Sequence, residues 1–236
     1  MTECSERTYR SHKLENKYML KAVLFDMDGV IVDTEPLHRK AYFKMFDEMN
    51  IPVSEALYTS FTGQCTLEIC QTLVSTFSLT QTPQSLVVCK RRHFKYLFEH
   101  DNSLQLLPGV LELIQDYYHN GLTLVLASSA SMTNINRIFE RFDLNKYFVA
   151  KLSGADLAKS KPHPEIFIKA AEASGHPKAH CMVIEDSTNG VAAAKAAGIF
   201  CVGYNSLHSE DQDYTLADTV VGDFKELGFE KVKGWV

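Results

Sequence analysis

Two aspartates spaced two residues apart follow a short apolar run near the start of the chain. Residues 21–26 read KAVLFD, and the sequence continues with Met27-Asp28-Gly29. Because side chains alternate along a strand, Asp26 and Asp28 are expected to lean the same way off the end of a buried strand. Two carboxylates crowded there repel each other and lose hydration. A fold tolerates that cost when a cation lies between them or when one of them does chemistry.

Three further places carry polar side chains where an apolar strand ends or a helix begins. They are Ser128-Ser129 after LTLVLA, Lys161 ahead of a helix that starts at Pro164, and Glu185-Asp186 at the end of CMVIE. In doubly wound sheets ligands bind beyond the carboxyl ends of the strands, so these places should share one crevice. Carboxylates are hard oxygen ligands that suit Mg²⁺, and a hydroxyl and a lysine suit phosphoryl oxygens.

The order of apolar segments predicts the fold that would bring these residues together. Strands are predicted at 21–26, 122–127, 148–152, 181–185 and 199–203, with helices between them. Alternating strands and helices are typical of a mainly parallel sheet covered on both faces. The predicted class is therefore α/β, with a doubly wound, Rossmann-like core.

A helical segment interrupts this alternation. Pro36 favours the first turn of a helix that ends near Asn50, and apolar stripes at helical spacing continue to about residue 101 without a clear strand. We expect a polar, flexible leader over residues 1–18, a core formed by 19–36 and 105–236, and an all-helical insertion over 37–104.

Composition excludes several classes of protein. The chain has 236 residues and a net charge of −5, which argues against nucleic-acid binding, and no apolar run approaches the roughly 20 residues that span a bilayer. The polar N-terminus lacks the apolar centre of a signal peptide, and the six cysteines show no paired or zinc-type spacing. These features predict a cytoplasmic protein with reduced thiols, and a monomer is the default expectation.

Four motifs in this order resemble the haloacid dehalogenase superfamily. They are DMDGVIVDTE (26–35), LVLASS (124–129), SKPHPEIF (160–167) and VIEDSTNGVAAAKAAG (183–198). Within that superfamily, the sequence is similar to the branch with a helical cap after the first motif. This branch contains sugar-phosphate phosphatases and β-phosphoglucomutases. The resemblance covers nearly everything from residue 21 on.

The resemblance implies a role for each reacting group. Asp26 would be the nucleophile that attacks phosphorus and becomes an aspartyl phosphate, and Asp28 would be the general acid and then the general base. Ser128 and the backbone amide of Ser129 would bind the transferring phosphoryl group. Lys161 would tie that group to Asp26.

The resemblance also implies a Mg²⁺ site. Its ligands would be Asp26, the backbone carbonyl of Asp28, and Asp186, with Glu185 acting directly or through a water. Physical chemistry agrees, because a carboxylate that approaches a phosphate dianion meets like-charge repulsion that a bridging cation offsets.

The cap positions leave alternatives open. His38 either lies on a solvated helix face or stands near the leaving oxygen of the substrate, where similar proteins often place a histidine or tryptophan. The basic cluster at residues 90–93 is either a solvated face or directs Arg92 to an anionic substrate. Gln64 lies in a segment, Thr62-Gly63-Gln64, that resembles a cap loop reaching over the active site, where it would contribute to specificity.

The choice of reaction depends on two positions. Dehalogenases of this superfamily lack the second aspartate, so Asp28 favours phosphoryl transfer. The mutase pattern has an arginine three positions after the cap-loop glycine, and here that position is Thr66. We therefore expect hydrolysis of a small phosphate monoester, in particular a sugar phosphate. The alternatives are a β-phosphoglucomutase-type mutase and, from another class, a non-catalytic module that binds Mg²⁺ and phosphate.

Overall fold

The computed structural model of the protein describes residues 20–61, 66–100, 104–205 and 212–236. The chain divides into two compact units, a core unit formed by Met1–Val32 with Leu106–Val236 and a helical unit formed by Asp33–Gln105. The predicted leader and Gln64 lie outside the described residues. Residues 33–36, which the sequence analysis placed in the core, belong to the helical unit, because Thr34 is the N-cap of its first helix.

The core unit contains one six-stranded parallel sheet in the order β3-β2-β1-β4-β5-β6. The strands are β1 (Ala22–Phe25), β2 (Thr123–Ser128), β3 (Phe148–Ser153), β4 (Cys181–Glu185), β5 (Phe200–Tyr204) and β6 (Thr219–Val221). The doubly wound α/β prediction is confirmed. The sequence analysis missed β6, a three-residue strand at the sheet edge in which only Val221 is buried.

Strand register places the polar strand ends side by side. Phe25 of β1 pairs with Leu126 of β2 on one side and with Ile184 of β4 on the other. The backbone N–H of Asp26 then donates to the carbonyl of Ile184 at 3.0 Å. The strand order reverses direction at β1, which is the topological switch point where such sheets bind ligands.

Helices pack against the sheet through short apolar stripes. Those of the core unit among the described residues are α5 (Val110–His119), α6 (Met132–Arg141), α7 (Glu165–Ser174), α8 (Thr188–Ala196) and α9 (Phe229–Val232). The helix α8 begins at Thr188, because the Ser187 hydroxyl caps it by accepting from the Gly190 N–H at 3.1 Å. This cap follows β4 directly and fixes the turn that carries Glu185 and Asp186.

The helical unit has its own hydrophobic core. Its helices among the described residues are α1 (Glu35–Met49), α2 (Glu55–Thr59), α3 (Thr66–Phe77) and α4 (Pro83–His100). Aromatic side chains such as Tyr42 and Phe46 fill the space between them together with Leu73 and Leu86. Leu67 on α3 lies outside this core and is 40% exposed. Across the described residues, no helix combines the length and apolarity needed to cross a bilayer.

Candidate active site

Asp26 and Lys161 form a buried ion pair at the end of β1. The Lys161 ammonium donates to Asp26 Oδ1 at 2.5 Å, to Glu185 Oε1 at 2.6 Å and to the carbonyl of Ala127 at 3.0 Å. Both side chains of the Lys161–Asp26 pair are less than 10% exposed. Burial lowers the pKa of Lys161, but the two carboxylates outweigh it and raise that pKa above its ordinary value. The lysine is therefore a fixed cation that joins β1 to β4.

Hydrogen bonds to the second carboxylate oxygen of Glu185 also hold this side chain in place. Its Oε2 accepts from the Ser187 N–H and from the Ser187 hydroxyl, both at 2.9 Å. The carboxylate also lies against Gly190 in the first turn of α8, where a Cβ would come within 1.7 Å of Glu185 Oε1. Glycine at this position thus leaves the space that the carboxylate occupies.

Asp186 approaches the loop that follows β1. A Cβ at Gly29 would lie 1.8 Å from Asp186 Oδ2, and Gly29 has a left-handed φ of +80° that favours glycine. The Tyr214 hydroxyl donates to the backbone carbonyl of Asp186 at 2.6 Å and lies 3.1 Å from that of Tyr204. The hydrogen bond from Tyr214 holds the backbone of Asp186, the residue that follows β4.

Three carboxylates meet at this point. Oxygen atoms of Asp26, Glu185 and Asp186 all lie within 4.8 Å of one another. Burial raises the pKa of Asp26 to about 7, Glu185 and Asp28 add to the rise, and Lys161 opposes it. Burial likewise raises the pKa of Asp186 well above its ordinary value, and the charges of Glu185 and Asp26 add to it. The cluster can hold a hard divalent cation, because carboxylate oxygens are the ligands such ions take.

Asp28 stands beside this cluster in a tight loop. It is half-buried, and the loop is closed by hydrogen bonds from the N–H groups of Ile31 and Val32 to the carbonyl of Met27. The negative charge of Asp28 contributes to the raised pKa of both Asp26 and Asp186. The predicted closeness of the two aspartates is therefore visible in their electrostatic interaction.

Ser128 and Ser129 lie at the end of β2, the neighbour of β1. The Ser128 side chain is fully buried, and its oxygen accepts from the Ala130 N–H at 3.0 Å. Ser129 is exposed, and its Cα lies 3.2 Å from where a Cβ on Gly154 would be. The absence of a side chain at Gly154 lets the backbone of Ser129 sit close to β3.

The remaining predicted site residues lie in the helical unit. His38 stacks on Phe94 with ring centroids 4.3 Å apart, and its Nδ1 lies 2.6 Å from the ammonium of Lys90. Burial lowers the pKa of His38 well below its ordinary value, and Lys90 adds to this effect. Neither side chain belongs to a solvated face, since His38 is half-buried and Lys90 is 3% exposed.

Arg92 differs from Lys90, its neighbour in the basic cluster. Its side chain is 61% exposed and is bound to Glu48 on α1. The substrate contacts proposed for Arg92, Gln64 and His38 remain predictions. Thr66, the position that separates the mutase pattern from this chain, is the first residue of α3.

Sequence reasoning missed three residues that shape the site. Gly190, Ser187 and Tyr214 position Glu185 and Asp186 without any charge of their own. Ser187 and Gly190 lie in the quoted motif VIEDSTNG, so a closer reading of the helix cap could have identified them. Tyr214 lies beyond the last predicted strand, and no local pattern connects it to Asp186.

Curated proteins of known activity match most of the chain. It is 31% identical over 216 residues to the β-phosphoglucomutase of Bacillus subtilis, covering 89% of this chain and 93% of that protein. It is 32% identical over 190 residues to the phosphorylated carbohydrates phosphatase of Thermotoga maritima, covering 80% and 87%. Hexitol phosphatase B of Escherichia coli is 28% identical over 214 residues, covering 90% and 96%.

Solved structures show the same fold. The crystal structure of CbbY from Rhodobacter sphaeroides in complex with phosphate superposes with a TM-score of 0.76 at 26% identity, covering 89% of this chain and 97% of that one. A putative β-phosphoglucomutase from Thermotoga maritima superposes with a TM-score of 0.71 at 30% identity, covering 86% and 94%.

A family model agrees with the motifs and with the geometry. The model of haloacid dehalogenase-like hydrolases matches residues 20–198, a segment that includes Asp26, Lys161 and Asp186. This chain is therefore an enzyme of the haloacid dehalogenase-like hydrolase family.

Proposed function

We propose that this enzyme is a Mg²⁺-dependent phosphatase that hydrolyses a small phosphate monoester, a sugar phosphate, through an aspartyl-phosphate intermediate. The single observation that carries the proposal is the buried contact of Lys161 with both Asp26 and Glu185 at the switch point of the sheet. A lysine fixed in this way places a positive charge beside both the nucleophilic carboxylate and an incoming phosphoryl oxygen. The names of the phosphatase relatives support the choice of substrate class.

The residues of the core unit account for both halves of the reaction. In the first, an Asp26 oxygen forms a bond to phosphorus, the bond to the leaving oxygen breaks, and Asp28 gives that oxygen its proton. In the second, Asp28 removes a proton from water as the water attacks phosphorus, and the bond to Asp26 breaks to release inorganic phosphate. Splitting one displacement into two lowers the barrier that either step alone would meet.

Neutral and cationic hydrogen-bond donors would bind the phosphoryl group. The Ser128 hydroxyl, oriented by the Ala130 N–H, and the backbone amide of Ser129 would donate to the phosphoryl oxygens. Lys161 would add positive charge from the side of Asp26. Asp26, Asp186 and the carbonyl of Asp28, with Glu185 directly or through a water, would hold a Mg²⁺ ion, which would supply the charge neutralisation that lets an anionic nucleophile approach an anionic ester.

The test is a Mg²⁺-dependent phosphate-release screen over sugar phosphates, nucleotides and pyrophosphate. We expect release from sugar phosphates that chelation with EDTA abolishes. Asp26→Asn should abolish turnover, whereas Asp143→Asn, the same change at an exposed residue of the core unit, should not. Full turnover by Asp26→Asn would exclude Asp26 as the nucleophile, and no release from any ester would exclude the phosphatase assignment.

A second candidate function is a β-phosphoglucomutase-type phosphosugar mutase. The observation that favours it is the 31% identity to the Bacillus subtilis mutase over 89% of the chain. The residue that opposes it is Thr66, where the mutase pattern has an arginine. β-Glucose 1-phosphate separates the two, because a mutase accumulates glucose 6-phosphate while a phosphatase accumulates inorganic phosphate.

A further inference from the structure

Three different metal-ligating side chains meet in the helical unit. The carboxylate of Glu48, the thiol of Cys89 and the imidazole of His93 each offer one atom, and these atoms lie within 4.8 Å of one another. Cysteine spacing alone gives no sign of this cluster, because Cys89 has no second cysteine close to it in the sequence. Its partners are a histidine on the same helix and a glutamate from another.

Helix geometry explains why these side chains converge. Cys89 and His93 are four residues apart on α4, so they lie on the same face, one turn after the other. Glu48 lies in the last turn of α1, and its Oε2 is 2.7 Å from His93 Nε2. Cys89 is 4% exposed, while the side chains of His93 and Glu48 are 21% and 40% exposed. The cluster therefore has a buried sulfur and an opening to solvent on the glutamate side.

We propose that Glu48, Cys89 and His93 bind one Zn²⁺ ion or a similar borderline divalent cation, with water as the fourth ligand. In a tetrahedral zinc site, bond lengths of about 2.0 to 2.3 Å place ligand atoms roughly 3.3 to 3.6 Å apart. The 2.7 Å separation of Glu48 Oε2 and His93 Nε2 must lengthen to reach that spacing, and the Glu48 side chain, 40% exposed, has room to move. Sulfur and imidazole nitrogen favour zinc, whereas the all-oxygen carboxylate cluster of the core unit suits Mg²⁺.

Arg92 is the group that a metal ion must displace. Its Nη2 lies 2.5 Å from both carboxylate oxygens of Glu48 and 3.5 Å from Cys89 Sγ, so the guanidinium provides the positive charge at this point. Its side chain is 61% exposed and can move into solvent. On binding, Glu48, Cys89 and His93 each form a bond to the metal, and Arg92 gives up Glu48. The thiol proton passes to solvent. The His93 imidazole changes tautomer, so that Nδ1 carries the ring proton and Nε2 exchanges its hydrogen bond to Glu48 for a bond to the metal.

Co²⁺ is the probe for this site, because a thiolate ligand produces a sulfur-to-cobalt charge-transfer absorption that oxygen ligands do not. The full chain, reduced and held in excess Mg²⁺, is titrated with Co²⁺. We expect one equivalent of charge-transfer absorption, and bleaching of the band by added Zn²⁺, which binds more tightly. Cys89→Ser should abolish the band. Cys70→Ser, which changes another buried cysteine of the helical unit, should retain it.

Two further variants make the test independent of a loss of folding. His93→Gln should weaken Co²⁺ binding by about tenfold or more, because it removes a direct ligand. Arg92→Gln should strengthen binding by about threefold, because it removes the cation that competes for Glu48. The proposal is overturned if saturating Co²⁺ gives no charge-transfer band, if the band survives Cys89→Ser, or if Arg92→Gln weakens binding.

Discussion

Replacing Gly190 with alanine tests whether Glu185 holds the site together. Gly190 is buried in the first turn of α8, and a methyl group there would lie 1.7 Å from Glu185 Oε1 and 1.8 Å from its Cδ. No real contact is that short, so the carboxylate must move. Moving it breaks the two hydrogen bonds from Ser187 and the ion pair with Lys161.

The magnitude follows from these contacts. Hydrogen bonds to a charged group are worth about 1.5–3 kcal/mol each, and breaking a buried ion pair costs about 3–5 kcal/mol. Alanine opposes this loss by about 1 kcal/mol, because it favours a helix over glycine. Since the lost contacts share one carboxylate and do not add fully, we expect Gly190→Ala to lower the free energy of unfolding by about 2–4 kcal/mol. Activity should fall about 100-fold or more, because small displacements of a positioned group are costly.

Urea unfolding and phosphate-release kinetics would measure the two effects. Asn189→Ala introduces the same residue at the exposed neighbouring position of α8 and should change the free energy of unfolding by about 0.5 kcal/mol or less. In a Glu185→Ala background the clash is absent, so Gly190→Ala should raise the free energy of unfolding there by about 1 kcal/mol, the helix preference of alanine over glycine. Equal costs in the wild-type and Glu185→Ala backgrounds would refute the argument, as would a Gly190→Ala enzyme with unchanged stability and kcat/KM.

Three other perturbations test the same site. Because the pKa of Asp26 is raised from 3.8 to about 7, the folded state holds this proton more tightly than the unfolded chain. The free energy of unfolding of the metal-free protein should therefore fall by up to about 4 kcal/mol between pH values of about 4 and 7, and urea titrations of Asp26→Asn should show a flatter profile. Lys161→Met leaves Asp26 and Glu185 without their shared cation, so it should destabilise the metal-free protein by about 3–5 kcal/mol; calorimetry that shows no loss would contradict the buried pair. Tyr214→Phe removes the hydroxyl that donates to the Asp186 carbonyl and should weaken Mg²⁺ binding by roughly tenfold in a calorimetric titration, whereas unchanged binding would show that this hydrogen bond does not position Asp186.

The strand-end residues of the site were predictable because strand patterns are local. Short apolar runs ending in Asp26, Ser128 and Glu185 identify three strands, and the rule for doubly wound sheets then places their ends at one edge. No long-range information beyond the fold class is needed for these positions.

Residues whose position depends on contacts between distant parts of the sequence were not predictable in this way. Tyr214 lies 28 residues after Asp186 in the sequence and reaches it only through the tertiary fold, in which Tyr214 packs against the hydrophobic core beside the sheet. β6 is three residues long and lies at the sheet edge, where little apolar pattern is required. Lys90 is charged and follows the pattern of a surface position, yet α4 buries it over the ring of Tyr42, with Nζ 4.7 Å from the ring centroid. Whether the aliphatic chain and the ammonium group of a lysine are buried depends on packing partners that the local sequence does not specify.

Charge balance explains why the residues of the core site suit a divalent ion. Asp26, Glu185 and Asp186 can carry three negative charges, and Lys161 carries one positive charge, so two negative charges remain. Without a metal the raised pKa values of Asp26 and Asp186 show that protons relieve part of this excess. A divalent cation would offset the two charges that remain on these four side chains, and it would favour the ionised form of Asp26 beside a phosphate dianion. The neutral donors at Ser128 and Ser129 fit that requirement, because they bind phosphate without adding the charge that would weaken the hold of the carboxylates on the ion.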